Sequence, residues 1–301
     1  MVKLWDKKDY LFYACRAVIN ACTLTSFSHF KVEGRENIPT DAAVIFAPCH
    51  RCTLMDALVM VKASGFITAF GARADLFKKP FLASILRWMR IVPLARHDRD
   101  GFRAAAGNTK VFADVVDCMG HGVPFCIYVE GTHYPDRVIH QVRQGVFRIA
   151  DLYKETFDKP VYIVPVGLDY DYFFDYMKGV TVRYGEAIPF DTLAELDNYK
   201  KADILHERMQ PLISAEDPER NHGNVPLRLL AAILLLPVLV VCIALSFHLL
   251  LLTRLFSRKL KDRAWINTIR YCCSLLFPIH WPFHRGFYLI NNFYRDLISD
   301  L

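Results

Sequence analysis

The feature that most limits what this chain can fold into is the run Leu229–Thr253, 25 residues without a single Asp, Glu, Lys or Arg. A helix of that length, at about 1.5 Å per residue, is long enough to cross a bilayer core of about 30 Å. Its flanks differ in charge. Arg254, Arg258, Lys259, Lys261 and Arg263 follow it, whereas only Arg220 and Arg228 lie close before it. The excess of cations places the downstream side in the cytoplasm. If the residues before the run are cytoplasmic as well, then either a second crossing follows or Pro237 divides the run into a re-entrant or interfacial hairpin. The candidate second crossing, Tyr271–Leu289, is interrupted by Pro278, His280, Pro282, His284 and Arg285, and its Trp281, Phe283, Phe287 and Tyr288 suit an interface better than a bilayer centre. Membrane attachment is expected in each case.

Composition agrees. Over 301 residues the hydrophobic fraction is 53% and the mean hydropathy +0.18, both high for a soluble protein. The net charge of +6 suits an anionic lipid surface, a polyphosphate or a nucleic acid. No zinc finger, aromatic RNA-binding strand or long basic arm is present, so nucleic acid is the weakest of the three. The nine cysteines are odd in number and scattered through apolar runs, which is the usage of buried thiols in a reducing compartment. Cys49-His50-Arg51-Cys52 has no second Cys/His pair at a ligand spacing, so no metal site is expected. Asp6, Asp9 and the absence of a small-residue cleavage site argue against a signal peptide.

Residues 1–30 carry Leu4, Trp5, Leu11, Phe12, Cys15, Val18, Ile19 and Cys22 at roughly helical spacing among Lys3, Lys7, Lys8 and Arg16. This is an amphipathic helix, to be laid on a bilayer or packed on the domain. From 31 to 213 short apolar runs alternate with helical patterns. Ala43–Ala47, Phe66–Phe70, Ile91–Leu94, Pro124–Val129, Val161–Val166 and Val180–Tyr184 read as strands. The segments 56–63, 76–89, 103–119, 142–157 and 193–213 read as helices. The fold class is therefore α/β, a mixed, largely parallel sheet flanked by helices, followed by a polar linker at 214–228 and a C-terminal membrane-anchoring region at 229–301. In such sheets the site lies just past the strand ends.

His50 stands at one of these ends, in a strand-to-helix turn, with Asp56 six positions on. A carboxylate that orients an imidazole makes it a general base; the plain alternative is a polar surface turn. Arg96 follows Ile91–Leu94 and, by itself, belongs to a charged surface run. Glu130-Gly131-Thr132 ends another strand, Arg143-Gln144-Gly145 opens a helix, and Val164-Pro165-Val166 follows the next strand. Each alone is weak.

In this order and at these spacings the blocks resemble those of the glycerophosphate and lysophospholipid acyltransferase family. There a His and an Asp are usually separated by four residues, an Arg follows a short strand, the third block is typically Phe-Pro-Glu-Gly-Thr-Arg and the fourth holds Val-Pro. The resemblance covers residues 40 to 190. Two features depart from it. Five residues separate His50 from Asp56, as in a branch nearer to glycerol-3-phosphate and dihydroxyacetone-phosphate acyltransferases, and the third block reads Tyr128-Val129-Glu130-Gly131-Thr132-His133, with Val129 for Pro and His133 for Arg.

The resemblance implies an O-acyltransferase of phospholipid biosynthesis or remodelling. The donor would be acyl-CoA or acyl-ACP and the acceptor a glycerophosphate or lysophospholipid, with His50 as base, Asp56 as its orienting partner and no cofactor. Arg96, Glu130, Gly131, Thr132 and Arg143 would bind substrate, and backbone amides around Val164–Gly167 would face the oxyanion. Cys49 and Cys52 would be bystanders. The catalytic domain would face the cytoplasm, at a bacterial inner membrane or the endoplasmic reticulum. Two rivals stand beside this reading: a thioesterase or other hydrolase, for which no Gly-x-Ser-x-Gly elbow is present, and a non-catalytic lipid-binding protein.

Overall fold

The computed structural model describes residues 10–65, 67–96, 100–101, 106–216, 224–258, 260 and 262–299. Its centre is the strand Ala43–Pro48 (β2), buried at every position. A strand covered on both faces has no alternation, which is why it reads in the sequence as one continuous apolar run. β1 (Phe30–Glu33) precedes it; β3 (Ala69–Arg73), β4 (Ile91–Leu94), β5 (Phe125–Cys126), β6 (Val161–Tyr170), β7 (Val180–Tyr184) and β8 (Ile188–Pro189) follow. The order across the sheet is β1-β7-β6-β2-β5-β3-β4, with β8 on β6. β6–β2, β2–β5, β5–β3, β3–β4 and β1–β7 are parallel, and only the pairings of β6 with β7 and with β8 are antiparallel. The parallel block therefore sends the chain after β2, β4 and β5 out at one edge, carrying His50, Arg96 and Glu130 with it.

Helices cover the sheet: α1 (Tyr10–Thr25), α2 (Leu54–Ala63), α3 (Pro80–Trp88), α4 (Asn108–Gly120), α5 (Gly145–Phe157) and α6 (Asn198–Met209). α1 turns Phe12, Ile19 and Cys22 inward and leaves Tyr10, Leu11, Val18 and Leu24 exposed. It is thus packed on the domain and apolar outside. α6 begins at Asn198 and not at Leu193 because the Asp197 side chain accepts from the Tyr199 and Lys200 amides and fixes the start. β6 continues past Val166 to Tyr170 although Asp169 interrupts its apolar run. That buried carboxylate is paired with Arg137 and Arg183 and accepts from the Ser214 hydroxyl, which together hold it below the usual carboxylate range despite burial. The basic residues before Tyr10, the start of the helix expected at 103, the middle of the linker (217–223), and Lys259 and Lys261 lie outside the described residues.

The C-terminal part is a layered helical unit of α7 (Val225–Ser257), α8 (Trp265–Leu276) and α9 (Trp281–Ile298). α7 runs unbroken through Pro237. Pro237 therefore does not divide the run into a hairpin. One missing amide is tolerated because a single buried stripe, through Ala232, Cys242, Ser246, Leu249 and Thr253, holds both halves against the same neighbours. α8 and α9 lie on the domain. Asn267 Nδ2 donates to the Phe173 carbonyl at 3.0 Å, Asn292 Nδ2 to the Tyr176 carbonyl at 2.8 Å, and Arg295 and Lys178 form ion pairs with Asp175 and Asp296. α7 lies on α9 and α8 in turn: the Tyr294 hydroxyl donates to the Ala232 carbonyl, His280 meets the Leu245 carbonyl, and His248 packs against Phe277. Among the described residues α7 is the one helix long and apolar enough to cross a membrane.

Candidate active site

The site is built on the turn between β2 and α2. His50 Nδ1 lies 2.6 Å from Asp56 Oδ2. The same oxygen accepts from the Arg51 amide at 2.6 Å and the Cys52 amide at 2.8 Å, and Oδ1 accepts from the Tyr170 hydroxyl at 2.7 Å. Burial and the Asp56 carboxylate push the Tyr170 phenol well above its ordinary range, so it stays a donor. Asp56 has no exposed surface, and it sits in the first turn of α2, where the helix dipole favours an anion. With Nδ1 committed to Asp56, Nε2 is the His50 nitrogen left for a ligand. The ring is stacked on Tyr128, centroids 4.4 Å apart, and meets the His133 ring edge-on at 5.7 Å.

Thr53, which precedes the first residue of α2, has φ 50° and ψ −123°. For a β-branched residue this backbone costs on the order of 1–3 kcal/mol and persists only where the surroundings impose it. Its hydroxyl donates to the Ala264 carbonyl at 3.4 Å and meets the Thr268 hydroxyl at 3.1 Å.

Glu130 reaches the turn from the next strand of the sheet. The Ile127 and Val129 amides donate to the Phe46 and Pro48 carbonyls, so the chain beyond β5 stays aligned with β2 up to the site. Glu130 is buried and fully engaged. Oε2 accepts from the His50 amide at 2.7 Å, Oε1 from the His140 amide at 2.8 Å, and Arg51 Nη1 lies 3.2 Å from Oε1 and 3.3 Å from Oε2. Arg51 is 1% exposed and also donates to the Val138 carbonyl. Next comes Gly131 with φ 70°, a conformation that lets its carbonyl accept from Arg96 Nη1 at 2.8 Å.

His50, Arg96, Gly131 and Arg143 together line a cavity of about 500 Å³. Two further arginines on its wall, Arg73 and Arg148, make four among the described residues, where Asp203 is the single carboxylate. Such a wall attracts an anion such as phosphate. Thr132 is half-buried beside the cavity and does not line it, and Asp56 and Glu130 lie behind the wall. The stretch Val164–Gly167 is inside the sheet and does not line the cavity. The Leu168 amide just beyond it is spent on Cys49 Sγ. Both cysteines of the turn are buried, and burial pushes the Cys49 thiol up to about 12 and the Cys52 thiol well above its ordinary range. Among the described residues no His/Cys/Asp/Glu group forms a metal site.

Sequence reasoning did not find Arg51, Tyr170, Thr53, Arg73 or Arg148. Arg51 adjoins the candidate base but reads as a surface charge, and Tyr170 is 114 residues from its partner. Neither carries a local signal.

A carboxylate-oriented imidazole that opens, at the end of a largely parallel sheet, on an arginine-lined cavity places a proton acceptor beside a wall suited to an anionic group. Residues 29–169 match the Acyltransferase family. A solved structure, PlsC, the 1-acyl-sn-glycerophosphate (LPA) acyltransferase from Thermotoga maritima, superimposes with a TM-score of 0.51 at 22% identity, over 67% of this chain and 78% of that one. At that identity the match speaks for the fold. No curated protein matches the chain.

Removing Arg51 leaves Glu130 as a buried, uncompensated charge. Arg51→Met is expected to destabilise the domain by about 3–5 kcal/mol. A thermal melt in detergent reads this as a clear drop in midpoint, and an unchanged midpoint would show that the pair is not holding the turn.

Proposed function

We propose that the protein is a membrane-bound O-acyltransferase that moves a fatty acyl group from a thioester donor, acyl-CoA or acyl-ACP, to a hydroxyl of a glycerophosphate or lysophospholipid. The observation that carries this reading is the His50–Asp56 contact of 2.6 Å at the wall of the arginine-lined cavity. An acceptor hydroxyl in the cavity gives its proton to His50 Nε2 as its oxygen attacks the thioester carbonyl. The tetrahedral intermediate then expels the thiolate, which takes the proton back from the imidazolium. Asp56, holding Nδ1, keeps the tautomer that leaves Nε2 basic. Arg96 and Arg143 take the acceptor phosphate, with Gly131 fixing Arg96 in place. Glu130 contributes by holding the His50 backbone and Arg51.

The attachment to the membrane is through the outer face of α7, with Leu227, Ile233, Phe247 and Phe256 more than half exposed along its whole length. Since α8 and α9 hold the opposite face on the domain from end to end, we read α7 as lying along the bilayer surface, its apolar side in the lipid. The catalytic domain then meets the cytoplasmic leaflet.

Acyl transfer by the purified protein in detergent, with acyl-CoA and acyl-ACP as donors and glycerol-3-phosphate and 1-acylglycerol-3-phosphate as acceptors, tests the assignment. His50→Ala is expected to lower kcat by about 10²- to 10⁴-fold; undiminished turnover removes His50 from the reaction. Arg96→Ala is expected to raise the KM for the phosphate-bearing acceptor about 10- to 100-fold and to leave the donor KM unchanged. An equal change in both would place Arg96 elsewhere. For the membrane geometry, Val225→Cys and Ser257→Cys in a Cys272→Ser background should react with an impermeant maleimide from the same side of sealed vesicles. Labelling from opposite sides would show a crossing.

A further inference from the structure

The acyltransferase family match ends at residue 169, yet the catalytic turn is finished by residues almost a hundred positions further on. Thr53, whose backbone φ of 50° lies between His50 and Asp56 in the chain, has its hydroxyl held by α8: it donates to the Ala264 carbonyl at 3.4 Å and stands 3.1 Å from the Thr268 hydroxyl. With the Thr53 proton directed to Ala264, the Thr268 hydroxyl is the donor between the two threonines. Two residues before Ala264, Asp262 Oδ1 accepts from the Ala264 amide, while its Oδ2 lies 2.6 Å from His133 Nε2. The His133 ring in turn stands edge-on to the His50 ring at 5.7 Å. Two independent contacts from one short segment thus converge on the candidate base. One reaches it through the strained backbone of its turn, the other through the ring beside it.

We propose that Thr268 and Asp262 are positioning residues of the active site, so that the C-terminal helical unit completes the catalytic turn as well as carrying the membrane-facing helix. The physical reason is the strain at Thr53. A β-branched residue at positive φ relaxes toward ordinary backbone when its tethers are cut. The amides of Arg51 and Cys52 would then leave Asp56 Oδ2, and the His50 ring would lose its alignment with the cavity. Misplacement of a reacting group by about 1 Å is enough to cost about 10²-fold in rate. A residue acting in this way lowers kcat and leaves substrate affinity alone, because Arg96 and Arg143 are carried by other loops. The inference rests on the reading of His50 as the general base.

The test uses the full-length protein in detergent, with wild-type acyl transfer measured first. Thr268→Val removes the hydroxyl at nearly constant shape and is expected to lower kcat about 10- to 100-fold with both KM values unchanged, and Thr268→Ser to restore it. Hydrogen exchange followed by mass spectrometry should show faster exchange confined to the peptide containing 50–56, where the His50, Arg51 and Cys52 amides are held by Glu130 and Asp56. Full kcat with wild-type exchange in Thr268→Val overturns the proposal. So does a loss of kcat that Thr268→Ser fails to restore. If Thr268→Val does not fold, Asp262→Asn decides: reduced kcat at unchanged KM supports the proposal, and unchanged kcat overturns it. A wild-type protein that transfers no acyl group while the Thr268→Val peptide still exchanges faster would instead count against the functional reading and leave the tethering of the turn standing.

Discussion

Everything at the site hangs on one buried carboxylate. Asp56 gathers the His50 ring, two consecutive backbone amides and the Tyr170 hydroxyl around two oxygens that see no water. This also explains the spacing of the motif. On a regular helix a residue six positions on is rotated by about 600°, which is well off the same face. The contact exists because Asp56 sits in the first turn of α2 and reaches backward over the chain, as the third helical residue does in a capping box, but past the cap to residues 51 and 52. Thr53, within this turn, bears backbone strain with its positive φ.

The second constraint joins two sequence blocks that look separate. Glu130 resembles a substrate ligand when read along the chain, but its oxygens are filled by the His50 and His140 amides and by Arg51. A buried charge needs such saturation, and it is met here by a guanidinium that is itself nearly inaccessible. The third block therefore acts first on the first block, fixing where the His50 backbone lies. Only Gly131, by turning its carbonyl onto Arg96, extends that order into the cavity.

Much of this was legible in the sequence because it is local. β2 and β6 are covered on both faces and announce themselves as apolar runs, and the strand ends of a parallel block place His50, Arg96 and Glu130 at one edge. What was not legible depends on distance or on compensation. The strand expected to stop at Val166 runs on through Asp169, because nothing in the neighbouring residues reveals Arg137, Arg183 and Ser214. Pro237 looked like a break because a sequence does not show the stripe of contacts that keeps α7 in line. The link from Thr53 to Thr268 spans 215 positions, and two threonines carry no signature of their meeting.

The flat placement proposed for α7 follows from the same logic of satisfied faces. A helix that is apolar all round must cover its whole surface with something other than water. One face of α7 is covered by α8 and α9, and these are fixed to the domain by polar contacts at Phe173, Asp175 and Tyr176. To cross a bilayer, α7 would have to carry that polar underside with it, including the Arg295–Asp175 pair, into hydrocarbon, where each charge costs several kcal/mol. Lying flat costs nothing of this kind, since only the outward row of Leu, Ile, Val and Phe enters the lipid. It also sets the end of α7 a few residues from Asp262, which touches His133 beside the candidate base. On the acyltransferase reading, a lipid substrate then moves from the leaflet to His50 while its chains stay in apolar surroundings and only its phosphate changes partners, from water to arginine.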